Sequence, residues 1–179
     1  MRIIAGTLKG RRLDAPTWPG LRPTSDKLRE TLFNVLQGRL PGARVLDAFA
    51  GTGAVGIEAL SRGAAHVTFV ERDTRARALI AANLARCGLG VPGGGYTIER
   101  GSAEDVLSRL EPVYDVVFLD PPYDEPDLAA AVTLGVGLLA AGGICVLEHA
   151  SRRAAPEAAG VPPARRLASG DSALAFYGG

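Results

Sequence analysis

Asp47, Gly51, Gly53, Gly56 and Glu71 are the residues of this chain whose types and spacing promise the most chemistry. The segment Val45-Leu-Asp-Ala-Phe-Ala-Gly-Thr-Gly-Ala-Val-Gly56 reads as a strand ending at Asp47, a glycine-rich turn, and a helix starting near Ala54. Gly51-x-Gly53-x-x-Gly56 fits the fingerprint of a turn that lets backbone approach a nucleotide closely. Glu71, placed at the end of the next strand, can accept both hydroxyls of a ribose. A tight strand-to-helix turn with no ligand also favours glycine, so the spacing alone names none. Asp47 narrows the choice, because a pyrophosphate repels a carboxylate at short range and a positively charged ligand does not. S-adenosylmethionine carries a sulfonium, an ammonium and a ribose. It suits the acid better than NAD does.

A second constellation is Asp120-Pro-Pro-Tyr123, at the carboxyl end of the strand Asp115–Leu119. Two prolines stop the strand and aim the Pro121 carbonyl and the Asp120 carboxylate into one space. That pair can hold both protons of an exocyclic amino group, turning its lone pair toward a methyl donor, and Tyr123 offers a flat face for a base. A plain Pro-Pro turn with a capping Asp is the bland alternative. Ser102-Ala-Glu-Asp105 can both cap a helix and reach an adenine through a backbone amide and a side chain.

These residues need elements to carry them. Strands are expected at Ala43–Asp47, His66–Glu71, Tyr96–Arg100, Tyr114–Asp120 and Gly143–Glu148, alternating with helices over Ala54–Arg62, Asp73–Cys87 and Asp127–Leu139. A short helix is expected after Ser102. Such alternation predicts a parallel sheet with helices on both faces. The two ends differ. Residues 2–14 look like a hairpin, Ser25 or Asp26 caps a helix through about Leu36, and Arg165–Ala168 with Ala173–Tyr177 flanks Ser-Gly-Asp as an antiparallel hairpin. Val91–Gly95 reads as a flexible connector.

Composition excludes several classes. With 179 residues, 47% hydrophobic and 22% charged, the chain has the material for one ordinary core. No apolar run approaches the roughly 20 residues that span a bilayer. The start offers no signal-peptide hydrophobic region, and Cys87 with Cys145 gives neither a disulfide framework nor metal-ligand spacing. A cytoplasmic protein without a metal is expected, and nothing demands more than a monomer. The net charge of +1 hides an asymmetry, since residues 1–30 hold seven basic against three acidic residues. A basic end can be a footprint for a polyanion or an ordinary solvated face. His66 and His149 read as structural, and both cysteines as inert. Trp18 can cover the N-terminal junction or stack on a base.

The chain resembles the RsmD family of bacterial 16S ribosomal RNA methyltransferases, which modify the 2-amino group of one guanine. The resemblance rests on Arg2-Ile-Ile-Ala-Gly6, Lys9-Gly-Arg-Arg12, Leu21-Arg-Pro-Thr24, Asp26, Arg29-Glu30 and Leu32-Phe-Asn34. It continues through Asp47–Gly53, Glu58-Ala-Leu-Ser-Arg-Gly63, Asp120–Tyr123 and Gly170-Asp-Ser-Ala-Leu174. It implies an α/β, Rossmann-like class I methyltransferase fold of seven mostly parallel strands with a C-terminal antiparallel hairpin. The expected arrangement is one domain, an N-terminal hairpin and helix (residues 1–40) on a cofactor-binding core (residues 41–179).

The resemblance further implies S-adenosylmethionine as cofactor, with contacts from Asp47, Phe49, Ala50, Gly51, Thr52, Gly53, Glu71, Arg72, Ala103, Glu104 and Asp120. Catalysis is expected from Asp120, Pro121, Pro122 and Tyr123. RNA contacts are expected from Arg2, Lys9, Arg11, Arg12, Arg22, Thr24, Lys27 and Arg29, though Arg29 and Glu30 can instead pair with each other across the helix. The expected partner is 16S rRNA within a 30S subunit or assembly intermediate. Adenine methylation in DNA and a catalytically silent RNA-binding module stay open as alternatives. Ser169 stands where the family usually shows an aromatic, a departure expected to lie away from the chemistry.

Overall fold

A computed structural model describes residues 1–19, 26–90, 94–122 and 125–178. Seven strands form one sheet: β1 (Arg44–Asp47), β2 (His66–Glu71), β3 (Tyr96–Arg100), β4 (Tyr114–Leu119), β5 (Leu139–Ala150), β6 (Arg165–Ser169) and β7 (Ser172–Gly178). Their order is β3-β2-β1-β4-β5-β7-β6. The first five are parallel, and β7 runs antiparallel between β5 and β6. The predicted mostly parallel sheet with an antiparallel terminal hairpin is therefore present. The strand order reverses between β1 and β4, the point where open α/β sheets leave a crevice beyond their carboxyl ends.

Among the described residues five α-helices cover the sheet: α1 (Asp26–Leu36), α2 (Ala54–Ser61), α3 (Thr74–Arg86), α4 (Ala103–Leu107) and α5 (Leu128–Gly137). Their starts follow from side-chain caps. Asp73 accepts the Arg75 N–H, Ser102 accepts the Asp105 N–H, and Asp127 accepts the Ala130 N–H, each satisfying a donor the first turn leaves over. Leu28, Leu32, Phe33 and Leu36 give α1 its buried stripe, as their spacing predicts. One apolar cluster joins α1, α2 and α3 to one sheet face, and a second places α4 and α5 on the other. No described helix is long and apolar enough to cross a membrane.

The expected N-terminal hairpin is present in a minimal form. Only Arg2 and Arg12 form a bridge, supported by bonds such as Ile3 N–H to the Arg11 carbonyl. The chain between them bonds to itself, as where the Gly10 N–H meets the Ile3 carbonyl, and also docks on α2. Glu58, fully buried, accepts the Ile4 and Ala5 N–H groups at 2.7 and 3.0 Å. The Ser61 hydroxyl donates to the Ala5 carbonyl and accepts the Leu8 N–H. Gly6, at φ +80°, passes so close that a Cβ would stand 1.9 Å from the Ser61 carbonyl oxygen. Two sequence blocks far apart in the chain, Arg2–Gly6 and Glu58–Gly63, are thus the halves of one joint. β5 also begins earlier than expected, because Leu139 pairs with Tyr114 ahead of a register shift. Ser25 and the Val91–Gly93 part of the expected connector lie outside the described residues.

Candidate functional site

At the carboxyl end of the sheet lies a cavity of about 1090 Å³. Its walls come from the loop after β1, the end of β2, the start of α4, the end of β4, the last turn of β5 and the β6–β7 turn. Of the expected cofactor contacts, Asp47, Phe49, Ala50, Gly51, Thr52, Glu71, Arg72, Ala103, Glu104 and Asp120 all line it. Gly53 does not. Its φ of +77° starts α2, with Ile80 close to where a Cβ would stand. Gly56 serves packing, since a Cβ there would meet the Phe69 ring at 2.2 Å. The three glycines of the fingerprint therefore have different duties, and only Gly51 faces the cavity.

Two hydrogen-bond systems hold the glycine loop. Glu71 accepts the Gly51 N–H at 2.9 Å with one oxygen and the Asp73 N–H at 2.8 Å with the other. Each carboxylate oxygen keeps a further lone pair for a ligand. Asn83, fully buried on α3, donates to the Thr52 and Asp14 carbonyls and accepts the Asp14 N–H. It links the loop to the N-terminal segment, and nothing in the sequence pattern hints at it.

Asp47 is 1% exposed and accepts the Gly56 N–H at 3.0 Å. Burial pushes its pKa up to about 7; the Gly56 hydrogen bond lowers it, while the facing Asp120 and Glu71 carboxylates raise it. The described lining holds nine acidic side chains against three basic ones, Lys27, Arg72 and Arg75. That charge pattern opposes a pyrophosphate and welcomes a cation. The glycine loop, the Glu71 acceptors and the Ser102-capped start of α4 fit an adenosine bearing a positively charged amino-acid tail.

Asp120, Pro121 and Pro122 line the same cavity, Pro121 being buried and the Pro122 carbonyl accepting the Glu125 N–H at 2.9 Å. Tyr123 lies outside the described residues. Trp18, left open between two roles, and three features that the sequence reading missed also line the cavity. Trp18 reaches the rim, where the Arg75 guanidinium sits 5.1 Å from its ring centre. Glu148 stands at the end of β5, and the ligand-binding habit of parallel sheets was the signal that could have found it. Asp127, expected only as the start of a helix, also lines the cavity. The Ser169–Ser172 turn lines the cavity, which corrects the expectation that this departure lies away from the chemistry.

The basic end divides. Lys27 reaches the cavity, whereas Arg2, Lys9, Arg11 and Arg12 are exposed but do not line it. The Arg11 side chain donates to the Arg86 carbonyl at the far end of α3, and Arg75 at its near end lines the cavity. At the rise of an α-helix these points are about 16 Å apart. Arg29 is corrected: it is 0% exposed, and donates to the Arg2 carbonyl and Asp26 at 2.8 Å each. It pairs with Asp26 rather than with exposed Glu30, and it presents no charge to a polyanion. Arg22 and Thr24 lie outside the described residues. His66 contacts Thr97, His149 is buried, and burial pushes both the Cys87 and Cys145 thiols up.

Residues 1–178 match the family described as conserved hypothetical protein 95. The chain is 38% identical over 180 residues to YlbH of Bacillus subtilis, provisionally named an rRNA methyltransferase, covering 99% of this chain and 98% of that one. It is 40% identical over 134 residues to ribosomal RNA small subunit methyltransferase D of Escherichia coli, covering 75% of this chain and 66% of that one. Among solved structures, a provisionally named methyltransferase of Escherichia coli superposes with a TM-score of 0.85 at 35% identity, covering 99% and 97%.

Proposed function

The chain belongs to the RsmD family, matched over residues 1–178, and from that membership we propose that it transfers the methyl group of S-adenosylmethionine to the 2-amino group of a guanine in 16S ribosomal RNA. The observation that carries this reading is the convergence of Asp47 and Asp120 on one cavity at the sheet reversal, close enough for one carboxylate to raise the pKa of the other. Asp47 offers the counter-charge for a donor, and Asp120 with the Pro121 carbonyl offers acceptors for an amine. S-adenosylmethionine supplies an electrophilic methyl group on a positive sulfur. In this reading Glu71 holds the ribose, and Ala103 with Glu104 borders the adenine.

The chain's own part in the step is orientation and charge relief. Asp120 and the Pro121 carbonyl accept hydrogen bonds from the two amino N–H groups and turn the nitrogen lone pair out of the ring plane. With S-adenosylmethionine bound, that lone pair would be aimed at its methyl carbon, the new nitrogen–carbon bond replacing a carbon–sulfur bond whose electron pair stays on sulfur. The nitrogen, now cationic, gives one proton to the Asp120 carboxylate, which passes it to water. Residues 1–40 act as an extension of the core, with Lys9, Arg11, Arg12 and Lys27 holding phosphates. The partner is the small subunit or an assembly intermediate, because a small domain needs its base presented out of the stack.

A methyl-transfer assay with labelled S-adenosylmethionine tests the reading, run on small subunits lacking the modification, on free 16S rRNA and on duplex DNA. Label in the ribosomal RNA is expected. Label confined to DNA, or absent from all three, overturns it.

A further inference from the structure

The cavity floor holds a second carboxylate that methyl transfer by Asp120 does not use. β4 and β5 run parallel with Leu119 opposite Leu147, so Asp120 and Glu148 each stand one residue past that last paired rung. Neighbouring strands lie about 4.8 Å apart, and residues on one rung face the same side. Both side chains line the cavity. Glu148 is 5% exposed, and its strand is clamped between β4 and β7. It follows Ile144-Cys-Val-Leu147, a run in which an apolar residue would pack without cost, whereas a buried carboxylate must be met by donors.

The bases differ in what they would bring to this spot. Guanine carries N1–H beside its 2-amino group, so its edge presents donors side by side. Adenine carries an N1 lone pair beside its 6-amino group. With the amino protons held by Asp120 and the Pro121 carbonyl, the adjacent ring position falls toward the neighbouring strand. We infer that Glu148 is a specificity-determining residue, accepting the N1–H of the target guanine and setting its negative charge against the N1 lone pair of an adenine. This inference rests on the guanine reading above. It gives that reading the discrimination that an Asp-Pro-Pro-Tyr loop, able to hold any aromatic amine, lacks.

The test uses 2-aminopurine, which keeps the 2-amino group and replaces N1–H with a lone pair. Small subunits are reconstituted around 16S rRNA bearing either guanine or 2-aminopurine at the methylated position, and kcat/KM is measured on both. The wild-type protein is expected to prefer guanine by about 10- to 100-fold, the discrimination of a site built around a base donor. Glu148→Gln can donate to the 2-aminopurine N1, so the guanine-to-2-aminopurine ratio should fall at least about tenfold. The missing 6-oxygen affects both proteins alike and cancels between the two ratios. Calorimetric binding of S-adenosylmethionine, unchanged in Glu148→Gln, shows that the variant is folded. An unchanged ratio overturns the role of Glu148 while leaving the methylation reading intact. A wild-type protein inactive on guanine overturns the methylation reading itself.

Discussion

Gly51 and Glu71 are joined by a 2.9 Å hydrogen bond from the backbone amide to the carboxylate, and the other oxygen of that carboxylate holds the Asp73 amide at 2.8 Å. One side chain therefore fixes the glycine loop, the end of β2 and the approach to the cap of α3. The expected ribose contact is compatible with this, but the carboxylate shapes the cavity before any ligand arrives. Glu71→Gln keeps the volume and loses one of the two acceptors. It should weaken S-adenosylmethionine binding about tenfold or more and cost about 1–2 kcal/mol of stability, read by calorimetry and urea unfolding.

Asp47 gives a pH dependence with a definite sign. Its folded pKa of about 7 lies above the ordinary 3.8, because burial penalises the charged form. Between those values the folded protein holds a proton the unfolded chain has released. Stability therefore falls as pH rises across that window and levels off above it. A cation bound beside Asp47 needs the carboxylate, so affinity for S-adenosylmethionine should drop as pH falls below about 7, by up to about tenfold per unit. Asp47→Asn should flatten both profiles. Subtracting the variant's profile removes the titration of the ligand's own amino group.

The N-terminal joint predicts a contrast between two glycines of nearly equal φ. A Cβ at Gly6 meets the Ser61 carbonyl, whereas a Cβ at Gly10 meets nothing within 4 Å. Gly10→Ala should cost about 1–2 kcal/mol, the left-handed strain alone. Gly6→Ala should cost more, about 3–5 kcal/mol, because the strap must lift from α2 and leave the buried Glu58 carboxylate short of donors. Thermal melting with limited proteolysis of the first residues separates them. Equal losses contradict the joint.

The exposed arginines predict a salt effect. Exchanging Arg11 and Arg12 for Glu should weaken RNA binding and flatten the plot of log affinity against log salt, by roughly 0.7–0.9 for each phosphate no longer neutralised. An unchanged slope removes these residues from the RNA surface. Arg29 belongs to a different class, since its charge is spent on Asp26 and the Arg2 carbonyl.

Much of this architecture was legible because the relevant signals are local. Alternating apolar runs and helical patterns placed the sheet, and Asp73 and Ser102 marked helix starts through capping chemistry that operates within a few residues. The glycine loop and Asp120-Pro-Pro carried their own geometry. Long-range features were hidden. That Glu58 would receive the Ile4 amide, or Asn83 the Asp14 amide, depends on two segments meeting only in the fold. The exposed reading of Arg29 failed for the same reason. It was counted with the basic end as an RNA contact, and only the packed N-terminal segment withdraws it from solvent. Glu148 was passed over because an apolar run ending in an acid looks like any strand end until the strand beside it is known.

The central claim is that the methyl group lands on the 2-amino nitrogen of guanine, and the most direct measurement is of the modified nucleoside itself. Small subunits treated with the protein and S-adenosylmethionine are digested to nucleosides, which are separated and identified by mass spectrometry against methylated standards. The predicted product is 2-methylguanosine, absent when Asp120 is replaced by Ala. Methyl on the adenine amino group, or on a guanine ring nitrogen, would contradict the roles given to Asp120 and its neighbouring carboxylate.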